Sequence, residues 1–317
     1  MISSRHLVDP QLSPLLDLIP PTTLSLETLP ALRERPTMFQ PDPRDIARTD
    51  LTVRAIPGPA GAPEVEVLFY RPKDLAGPAP CILHIHGGGY VAGDAQSMEA
   101  VHRRLAADLS CCIASVNYRL APETPFPGAV EDCYAALAWL ASSARELQLD
   151  LARIGVMGES AGGGLAAALA LLSRDRGEYR LAFQHLIYPM IDDRTCIAAE
   201  PHPFLGEFIW TPSANYFGWK SLLGREPGGE DVSPYAAAAR AENLADLPPT
   251  FLATGALDLF LEENLEYARR LIRAGVPTEL HVYPGAFHAF QWAAEAEVSK
   301  AAARDSRAAL AKALGVV

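Results

Sequence analysis

The sequence predicts an α/β protein in which a mostly parallel central sheet is covered by helices on both faces. The first observation is a series of short runs, such as 81–85 and 153–157, that are apolar throughout. Strands buried on both faces have this composition, and they are typical of parallel sheets. The second observation is that longer segments with a helical spacing of apolar residues, such as 128–140, lie between these runs. Strands that alternate with helices in this way indicate a parallel sheet.

The predicted elements can be assigned in order along the chain. Residues 64–70 alternate polar and apolar side chains, which predicts a half-buried strand. The apolar strands that follow are predicted at 81–85, 111–116, 153–157, 182–188, 250–256 and 279–283. The helices are predicted at 98–109, 128–140, 161–172, 262–274 and 292–314. The core is therefore predicted to consist of two parts, 46–189 and 246–317.

Two segments fall outside this alternation. Residues 1–45 are rich in proline, which breaks longer elements, so they are predicted to form an arm with short helices near 12–18 and 24–33. Residues 190–245 contain no clear strand and are rich in Pro, Gly and aromatic residues. An insertion of this kind between two sheet strands is often a lid or cap. Packing inside the cap is favoured over substrate contact for its aromatic residues, which are Phe204, Phe208, Trp210, Tyr216, Phe217 and Trp219.

The composition excludes several classes of function. Hydrophobic residues make up 49% of the chain and charged residues 21%, which favours a large ordered core over disorder. The net charge of −11 argues against a nucleic-acid partner, because such a partner requires a positive surface. No apolar run reaches the length of about 18 residues that predicts a membrane span. The N-terminus also lacks the apolar stretch of a secretory signal peptide.

The cysteines indicate the compartment. The five cysteines have no regular spacing that would predict a disulfide framework. Cys81, Cys111 and Cys112 lie in apolar runs, where cysteine behaves as a small hydrophobic residue. Free thiols of this kind are expected to be buried, and they favour a cytoplasmic protein.

The strongest catalytic motif is Gly158-Glu159-Ser160-Ala161-Gly162. This G-x-S-x-G pattern lies between a predicted strand and a predicted helix, where a sharp turn forces the serine into a strained conformation and projects its Oγ above the sheet. Glycines are needed there because side chains would clash with the neighbouring strand and helix. The motif therefore predicts Ser160 as a nucleophile, and a serine in an ordinary glycine-rich turn is the alternative.

A second motif, H-G-G-G-Y at 86–90, ends the predicted strand before it. Three glycines let the backbone pass close to a bound acyl group with its N–H groups pointing inward. Together with the motif around the nucleophile, this loop predicts an oxyanion hole formed by the N–H groups of Gly88, Gly89 and Ala161. His86 is interpreted as a residue that holds the loop and not as an acid or base.

The base of the predicted site is His288. In folds that carry G-x-S-x-G in this position, the acid and then the histidine follow the serine along the chain. Catalytic groups lie at the carboxyl ends of the strands, and His288 lies in the loop after the predicted strand 279–283. The rival histidines are less suitable, since His185 and His281 lie inside predicted strands and His202 has no strand before it.

The acid is predicted to be Asp258. It follows the predicted strand 250–256, and this strand comes directly before the one that leads to His288. The two loops are therefore expected to be neighbours. Asp192 and Asp193, which follow the predicted strand 182–188, are the alternatives. A role for Asp258 as a helix cap is a further possibility that the sequence leaves open.

Together these residues resemble the hormone-sensitive-lipase-like family of bacterial esterases and lipases, over roughly residues 50–317. The motifs that carry the resemblance are H-G-G-G-Y at 86–90, Y-R-L-A-P-E at 118–123, G-E-S-A-G-G-G at 158–164, Asp258 and H-A-F at 288–290. The resemblance implies an α/β-hydrolase fold with a helical cap formed by the arm 1–45 and the insertion 190–245. It also implies hydrolysis of short- to medium-chain carboxylic esters without a cofactor or metal, and it suggests a homodimer.

Two positions depart from the usual pattern of the family. Glu159 stands where Asp or Thr is commoner, and Leu259 stands where a proline often follows the acid. Both departures leave the substrate preference open. Within the Y-R-L-A-P-E motif, Arg119 and Glu123 are expected to pair with each other or with the backbone and so to hold the oxyanion loop.

The predicted mechanism is a two-step acyl transfer through an acyl-enzyme on Ser160. No cluster with metal-ligand spacing is visible in the sequence. Hydrolysis of amides, carbamates or lactones by the same residues is the alternative within the enzyme class. A small-molecule receptor that has lost turnover is the alternative outside it, although such a protein would be expected to lack the histidine.

Overall fold

Eight strands form a single sheet in the computed structural model, which describes residues 3–19, 23–37 and 39–316. The strands are β1 Thr49–Ile56, β2 Val65–Pro72, β3 Ala79–Ile85, β4 Cys112–Asn117, β5 Leu149–Glu159, β6 Gln184–Ile187, β7 Thr250–Gly255 and β8 Thr278–Tyr283. Their order across the sheet is β1-β2-β4-β3-β5-β6-β7-β8. Strand β2 is antiparallel to β1 and β4, and all other neighbours are parallel. The predicted mostly parallel sheet is confirmed.

Helices cover both faces of this sheet, as predicted. The α-helices of the described residues are α1 Ser13–Leu18, α2 Leu29–Arg33, α3 Pro43–Arg48, α4 Glu99–Leu109, α5 Gly128–Ser142, α6 Ala161–Arg176, α7 Pro212–Leu223, α8 Leu261–Arg273 and α9 Glu297–Leu314. Successive residues of a strand point to opposite faces. In β3, Leu83 packs in the cluster that contains α5, α6 and α8, whereas Ile82 packs with Leu109 of α4 and Leu310 of α9.

Strand β2 is more deeply buried than its alternating sequence predicts. Val67 and Phe69 pack against one layer of helices, and Leu68 and Tyr70 pack against the other. All four side chains are buried. The prediction of a half-buried strand is therefore wrong, because a helical layer covers each face of the sheet at this position.

Strand β1 was not predicted from the sequence. Leu51, Val53 and Ala55 alternate with polar residues, which is a signal that predicts a strand. As the outer strand of the sheet, β1 pairs only with β2, and Val53 remains 55% exposed. Because the apolar face of β1 is partly exposed, the strand is harder to distinguish in the sequence from the proline-rich arm that precedes it.

Some predicted boundaries also change. The predicted helix 292–314 begins only at Glu297, because residues 290–292 form a short 3-10 helix. In the arm, α1 covers nearly all of the predicted stretch 12–18, and α2 covers the last five residues of the predicted stretch 24–33. Residues 20–22 lie outside the described residues. The insertion contains α7, a helix that was not predicted, and no strand among residues 190–245.

The cysteines are free thiols, as predicted. Cys81, Cys111 and Cys112 are buried in the sheet region. Burial raises the pKa of the Cys112 thiol to about 11, so this group stays protonated at neutral pH. In the part of the chain that the structure describes, no helix is both long enough and apolar enough to cross a membrane.

Candidate active site

The turn between β5 and α6 places Ser160 at the carboxyl edge of the sheet. Ser160 has φ 56° and ψ −122°, a conformation that residues with side chains rarely adopt. A Cβ at Gly162 would lie 2.0 Å from the carbonyl oxygen of Ile85, and a Cβ at Gly158 would lie 2.3 Å from the carbonyl oxygen of Gly162. The two glycines are thus required for this close approach, and the strained turn predicted from the motif is present.

Three side chains from three loops meet at this edge. The Nε2 of His288 lies 2.9 Å from the Oγ of Ser160, and its Nδ1 lies 2.9 Å from the Oδ2 of Asp258. The loops follow β5, β7 and β8, so the topology brings together residues that are distant in the sequence. The other oxygen of Asp258, Oδ1, accepts a hydrogen bond from the N–H of Phe260 at 2.9 Å. The carboxylate is therefore fixed, and it orients the imidazole so that Nε2 can accept the serine proton.

Aromatic rings enclose the imidazole of His288. The ring centroids of Tyr188 and Phe260 lie 4.5 and 5.3 Å from that of the imidazole, and the centroid of Trp210 lies at 6.2 Å. His288 is 5% exposed and Asp258 is fully buried. The hydrogen bond between the two side chains is therefore shielded from water, which strengthens the electrostatic interaction between them.

The rival acids have other partners. Asp193 is fully buried and accepts hydrogen bonds from the Nε and Nη2 of Arg240 at 2.7 and 2.9 Å. Asp192 pairs with Arg194 at 2.7 Å. Of the three aspartates considered, Asp258 is the one hydrogen-bonded to His288.

The rival histidines His185 and His281 bind other side chains. His185 stacks on Phe251, and its Nε2 lies 2.8 Å from the Oγ of Ser306. Burial lowers the pKa of His185 to about 3, so it is neutral at physiological pH. His281 pairs with Glu279 at 2.8 Å on β8. Both histidines therefore make contacts away from Ser160, in agreement with their predicted positions inside strands.

The glycine-rich loop after β3 turns back tightly beside the nucleophile. Gly88 has φ 120° and Gly89 has φ 62°. A Cβ at Gly88 would lie 2.0 Å from the carbonyl oxygen of Ala92, so a side chain has no room there. The carbonyl oxygen of Gly88 accepts hydrogen bonds from the N–H groups of Val91 and Ala92 at 3.1 and 3.0 Å, which closes the turn.

His86 holds the base of this loop. Its ring lies in a stacked arrangement on Tyr118, with a centroid distance of 4.2 Å, and its Nδ1 donates to the carbonyl oxygen of Gly87 at 2.8 Å. Burial lowers the pKa of His86 to about 4, so the ring is neutral at physiological pH. These contacts agree with the interpretation of His86 as a residue that holds the loop.

The expected pair between Arg119 and Glu123 is wrong. Arg119 donates from Nε and Nη2 to the buried carboxylate of Asp132 on α5, at 2.8 and 2.7 Å. The carboxylate of Glu123 instead accepts hydrogen bonds from both Nη groups of Arg33, each at 2.8 Å. The partners lie on α5 and on the arm, so neither is detectable from the local sequence. The guanidinium of Arg33 also donates to the carbonyl oxygens of Val91 and Ala121, at 2.8 and 2.9 Å.

Two further contacts near the nucleophile were not foreseen. The carboxylate of Glu159 lies 2.9 Å from the Nε2 of His84, whose Nδ1 lies 3.0 Å from the Oγ of Ser115. This hydrogen-bonded row ties the end of β5 to β3 and β4 directly behind Ser160. In the insertion, Trp219 is fully buried, whereas Trp210 is partly exposed and lies on Gly89.

Comparisons with known proteins place this arrangement in a family. A family model described as the alpha/beta hydrolase fold matches residues 82–292. The chain is 36% identical over 279 residues to Esterase LipI of Mycobacterium tuberculosis, covering 86% of this chain and 85% of that protein. It is 32% identical over 292 residues to Carboxylesterase NlhH of the same organism, with 90% of each chain covered.

A solved structure agrees with these relatives over nearly the whole chain. The structure of Bacterial Heroin Esterase matches with a TM-score of 0.88 at 39% identity and covers 98% of both chains. From its family model, its relatives and its fold, the chain belongs to the α/β-hydrolase fold family, among the hormone-sensitive-lipase-like esterases.

Proposed function

We propose that this protein is a carboxylic ester hydrolase acting on short- to medium-chain acyl esters, with Ser160 as nucleophile, His288 as base and Asp258 as the orienting acid. The observation that carries the proposal is the continuous row of hydrogen bonds from Asp258 through His288 to Ser160, with both contacts at 2.9 Å. The esterase names of the relatives support the same reaction.

The arrangement of these three residues supports each step of acyl transfer. The Oγ of Ser160 attacks the ester carbonyl carbon while its proton passes to the Nε2 of His288. The tetrahedral intermediate then collapses, and the imidazolium returns this proton to the departing alkoxide, which leaves as the alcohol. Water attacks the acyl-enzyme with the same histidine as base, which releases the acid and restores the serine. Asp258 holds the imidazole in the tautomer that both steps require and stabilises its charged form.

The oxyanion of the intermediate is proposed to bind the N–H groups of Gly88, Gly89 and Ala161. Among the described residues, the N–H groups of Gly88 and Gly89 donate no hydrogen bond to another backbone group. Ala161 begins α6, and the first N–H groups of a helix have no partner within the helix. Donors that are held in place before the reaction stabilise the developing charge at little reorganisation cost.

We further propose that the arm 1–45 and the insertion 190–245 form one cap over the core parts 46–189 and 246–317. The carboxylate of Glu207 in the insertion accepts hydrogen bonds from the Oγ of Ser3 and the Oγ of Ser4, at 2.9 and 2.7 Å. The arm and the insertion are therefore joined directly.

The free thiols support a cytoplasmic location of the protein. The family resemblance supports a homodimer, and sedimentation velocity will test this oligomeric state.

The test of the proposed function is turnover of p-nitrophenyl esters combined with labelling by a fluorophosphonate. The wild-type protein is expected to hydrolyse the acetate and butyrate esters and to carry one phosphonyl group on Ser160, located by peptide mass spectrometry. A folded protein that hydrolyses no ester and takes no label would overturn the proposal. Labelling with turnover of anilides but no esters would move the assignment to an amidase.

Replacing Arg33 with alanine is expected to lower kcat by about tenfold to a hundredfold, with a smaller change in KM. The side chain holds two carbonyl groups next to the oxyanion loop, and small displacements of a catalytic loop are costly. Steady-state kinetics on p-nitrophenyl acetate measures the effect. Arg33→Lys should recover little activity, because an ammonium cannot span Val91, Ala121 and Glu123 as the guanidinium fork does.

The control for this variant is Arg5→Ala, which removes another arginine of the arm whose partner, Asp17, is exposed. Wild-type kinetics are expected for this control. Equal losses of kcat in the two variants would show that the arm acts only through the general stability of the protein. An unchanged kcat in Arg33→Ala would show that the hydrogen bonds from Arg33 to the carbonyl oxygens of Val91 and Ala121 have no catalytic consequence.

A further inference from the structure

We propose that the N-terminal part of the arm positions the catalytic base. The docking segment, residues 4–19, packs on the base loop, residues 284–290, which carries His288. This role rests on the ester hydrolysis proposed above, because it concerns the residue that takes the proton of Ser160. It is carried by contacts that the docking segment makes before, around and after His288.

A backbone hydrogen bond joins the docking segment to the start of the base loop. The N–H of Asp9 donates to the carbonyl oxygen of Gly285 at 3.1 Å. Gly285 has φ 68°, and a Cβ at this position would lie 2.7 Å from the backbone nitrogen and 3.1 Å from the Cα of Asp9. A side chain therefore has no room between the two segments, and the backbone just before His288 lies directly against the arm.

Apolar side chains of the docking segment pack around the two phenylalanines that flank His288. The side chains of Val8, Leu12 and Leu15 belong to the same buried cluster as those of Phe287 and Phe290. Leu12 and both phenylalanines are fully buried. Burial of apolar surface is the dominant favourable contribution to such packing, so the contact does not depend on charged groups.

The docking segment also binds the helix that follows the base loop. The Oε1 of Gln11 accepts a hydrogen bond at 2.7 Å from the N–H of Glu297, the first residue of α9. The first N–H groups of a helix have no partner within the helix, so Gln11 caps α9. This helix in turn fixes the end of the base loop, because the Oγ of Ser299 donates to the carbonyl oxygen of Phe290 at 3.0 Å.

The base loop needs support from outside, because its backbone is strained directly after His288. Ala289 has φ 62°, in the left-handed region, and such a conformation persists where the surrounding structure imposes it. On one side, the loop that carries Asp258 provides support, since the N–H of Leu257 donates to the carbonyl oxygen of Ala286 at 2.8 Å. The docking segment supplies further support from the arm. A displacement of about 1 Å in a catalytic group can cost on the order of a hundredfold in rate, so this support is expected to affect kcat.

The first test is Gly285→Ala, which places a methyl group against Asp9. This variant is expected to lower kcat for p-nitrophenyl acetate by roughly tenfold to a hundredfold, with a much smaller change in KM. The matched control is Gly275→Ala at the other end of β8. Gly275 has a similar φ of 82°, but a Cβ there meets nothing within 4 Å, so this variant imposes the same backbone strain without the contact. Wild-type kcat is expected for the control.

The second test, Leu12→Ala, changes the arm and leaves the base loop itself unaltered. The kcat per folded molecule is expected to fall by roughly threefold to tenfold, because the lost volume loosens the cluster that contains Phe287 and Phe290. Leu12→Met keeps most of the volume and should restore most of this loss. The control is Leu310→Ala on α9, which removes another buried leucine from the cluster around Ile82 and should keep wild-type kcat per folded molecule.

A spectroscopic measurement separates positioning of the base from general stability. The proton on the Nδ1 of His288, in the hydrogen bond to Asp258, is expected to give a resolved low-field NMR signal in the wild type. Gly285→Ala and Leu12→Ala should shift or broaden this signal, whereas the two control variants should leave it unchanged. A role in stability alone would lower the thermal midpoint without changing the signal or the kcat per folded molecule.

The outcomes distinguish this role of the arm from the proposed function. An unchanged kcat and NMR signal in both Gly285→Ala and Leu12→Ala would overturn the positioning role, while the esterase assignment stands if Ser160 is labelled. Equal losses of kcat in the control variants would overturn it as well. A wild type without ester turnover or label would refute the esterase assignment, and the NMR signal would then still decide whether the docking segment positions His288.

Discussion

Replacing Ser160 or His288 with alanine is expected to lower kcat for p-nitrophenyl acetate by about 10⁴-fold or more. The first variant removes the attacking oxygen, and the second removes the group that lies 2.9 Å from it and takes its proton. The measurement is the single-turnover release of p-nitrophenol at enzyme excess, which reports acylation directly. KM is expected to change little, because neither side chain provides most of the ground-state binding.

The double variant sharpens this prediction. Residues that act as one unit are not additive, so Ser160→Ala combined with His288→Ala is expected to cost no more than either change alone. The controls are Ser299→Ala, which removes a buried hydroxyl bound to the carbonyl oxygen of Phe290, and His281→Ala on β8. Both controls should keep near wild-type kcat. Additive losses of kcat in the double variant, or a large loss of kcat in a control, would contradict the proposal that Ser160 and His288 act as one catalytic unit.

The parts of the site that are predictable from the sequence are those encoded locally. Ser160 is identified by a strand, a turn and a helix that are contiguous in the chain, and the strained φ of 56° follows from that turn. Asp258 and His288 are identified by chain order and by the rule that loops after neighbouring parallel strands lie together. The hydrogen bonds among the three residues agree with this reasoning.

Contacts between distant segments escape the same reasoning. Arg33 lies in the arm, 90 positions from Glu123, and the pairing of the two residues leaves no local pattern. Arg119 pairs with Asp132 because α5 packs beside the loop that carries Arg119. This packing depends on how the helices assemble on the sheet. Trp210 is one aromatic residue among several in the insertion, and its place on Gly89 depends on the path of the chain at Ile209.

Replacing Asp258 with asparagine is expected to lower kcat by about 10³- to 10⁴-fold while leaving the fold intact. The amide can occupy the same volume, but its NH₂ group donates where the carboxylate accepts, so the imidazole takes the tautomer that cannot accept the proton of Ser160. The loss of the negative charge also removes the stabilisation of the imidazolium. Steady-state kinetics and circular dichroism on the same preparation measure both consequences.

The matched control is Asp193→Asn, because Asp193 is an equally buried aspartate from the rival loop. It breaks the pair with Arg240 and leaves a largely buried guanidinium without its counter-charge, so this variant is expected to be about 3–5 kcal/mol less stable. The kcat per folded molecule should nevertheless stay close to that of the wild type. The opposite pattern, full activity in Asp258→Asn and a catalytic loss in the Asp192 or Asp193 variants, would place the acid on the loop after β6. The substitution at Asp258 is thus expected to change kcat, whereas the substitution at Asp193 is expected to change the stability. This difference distinguishes a catalytic carboxylate from a structural one.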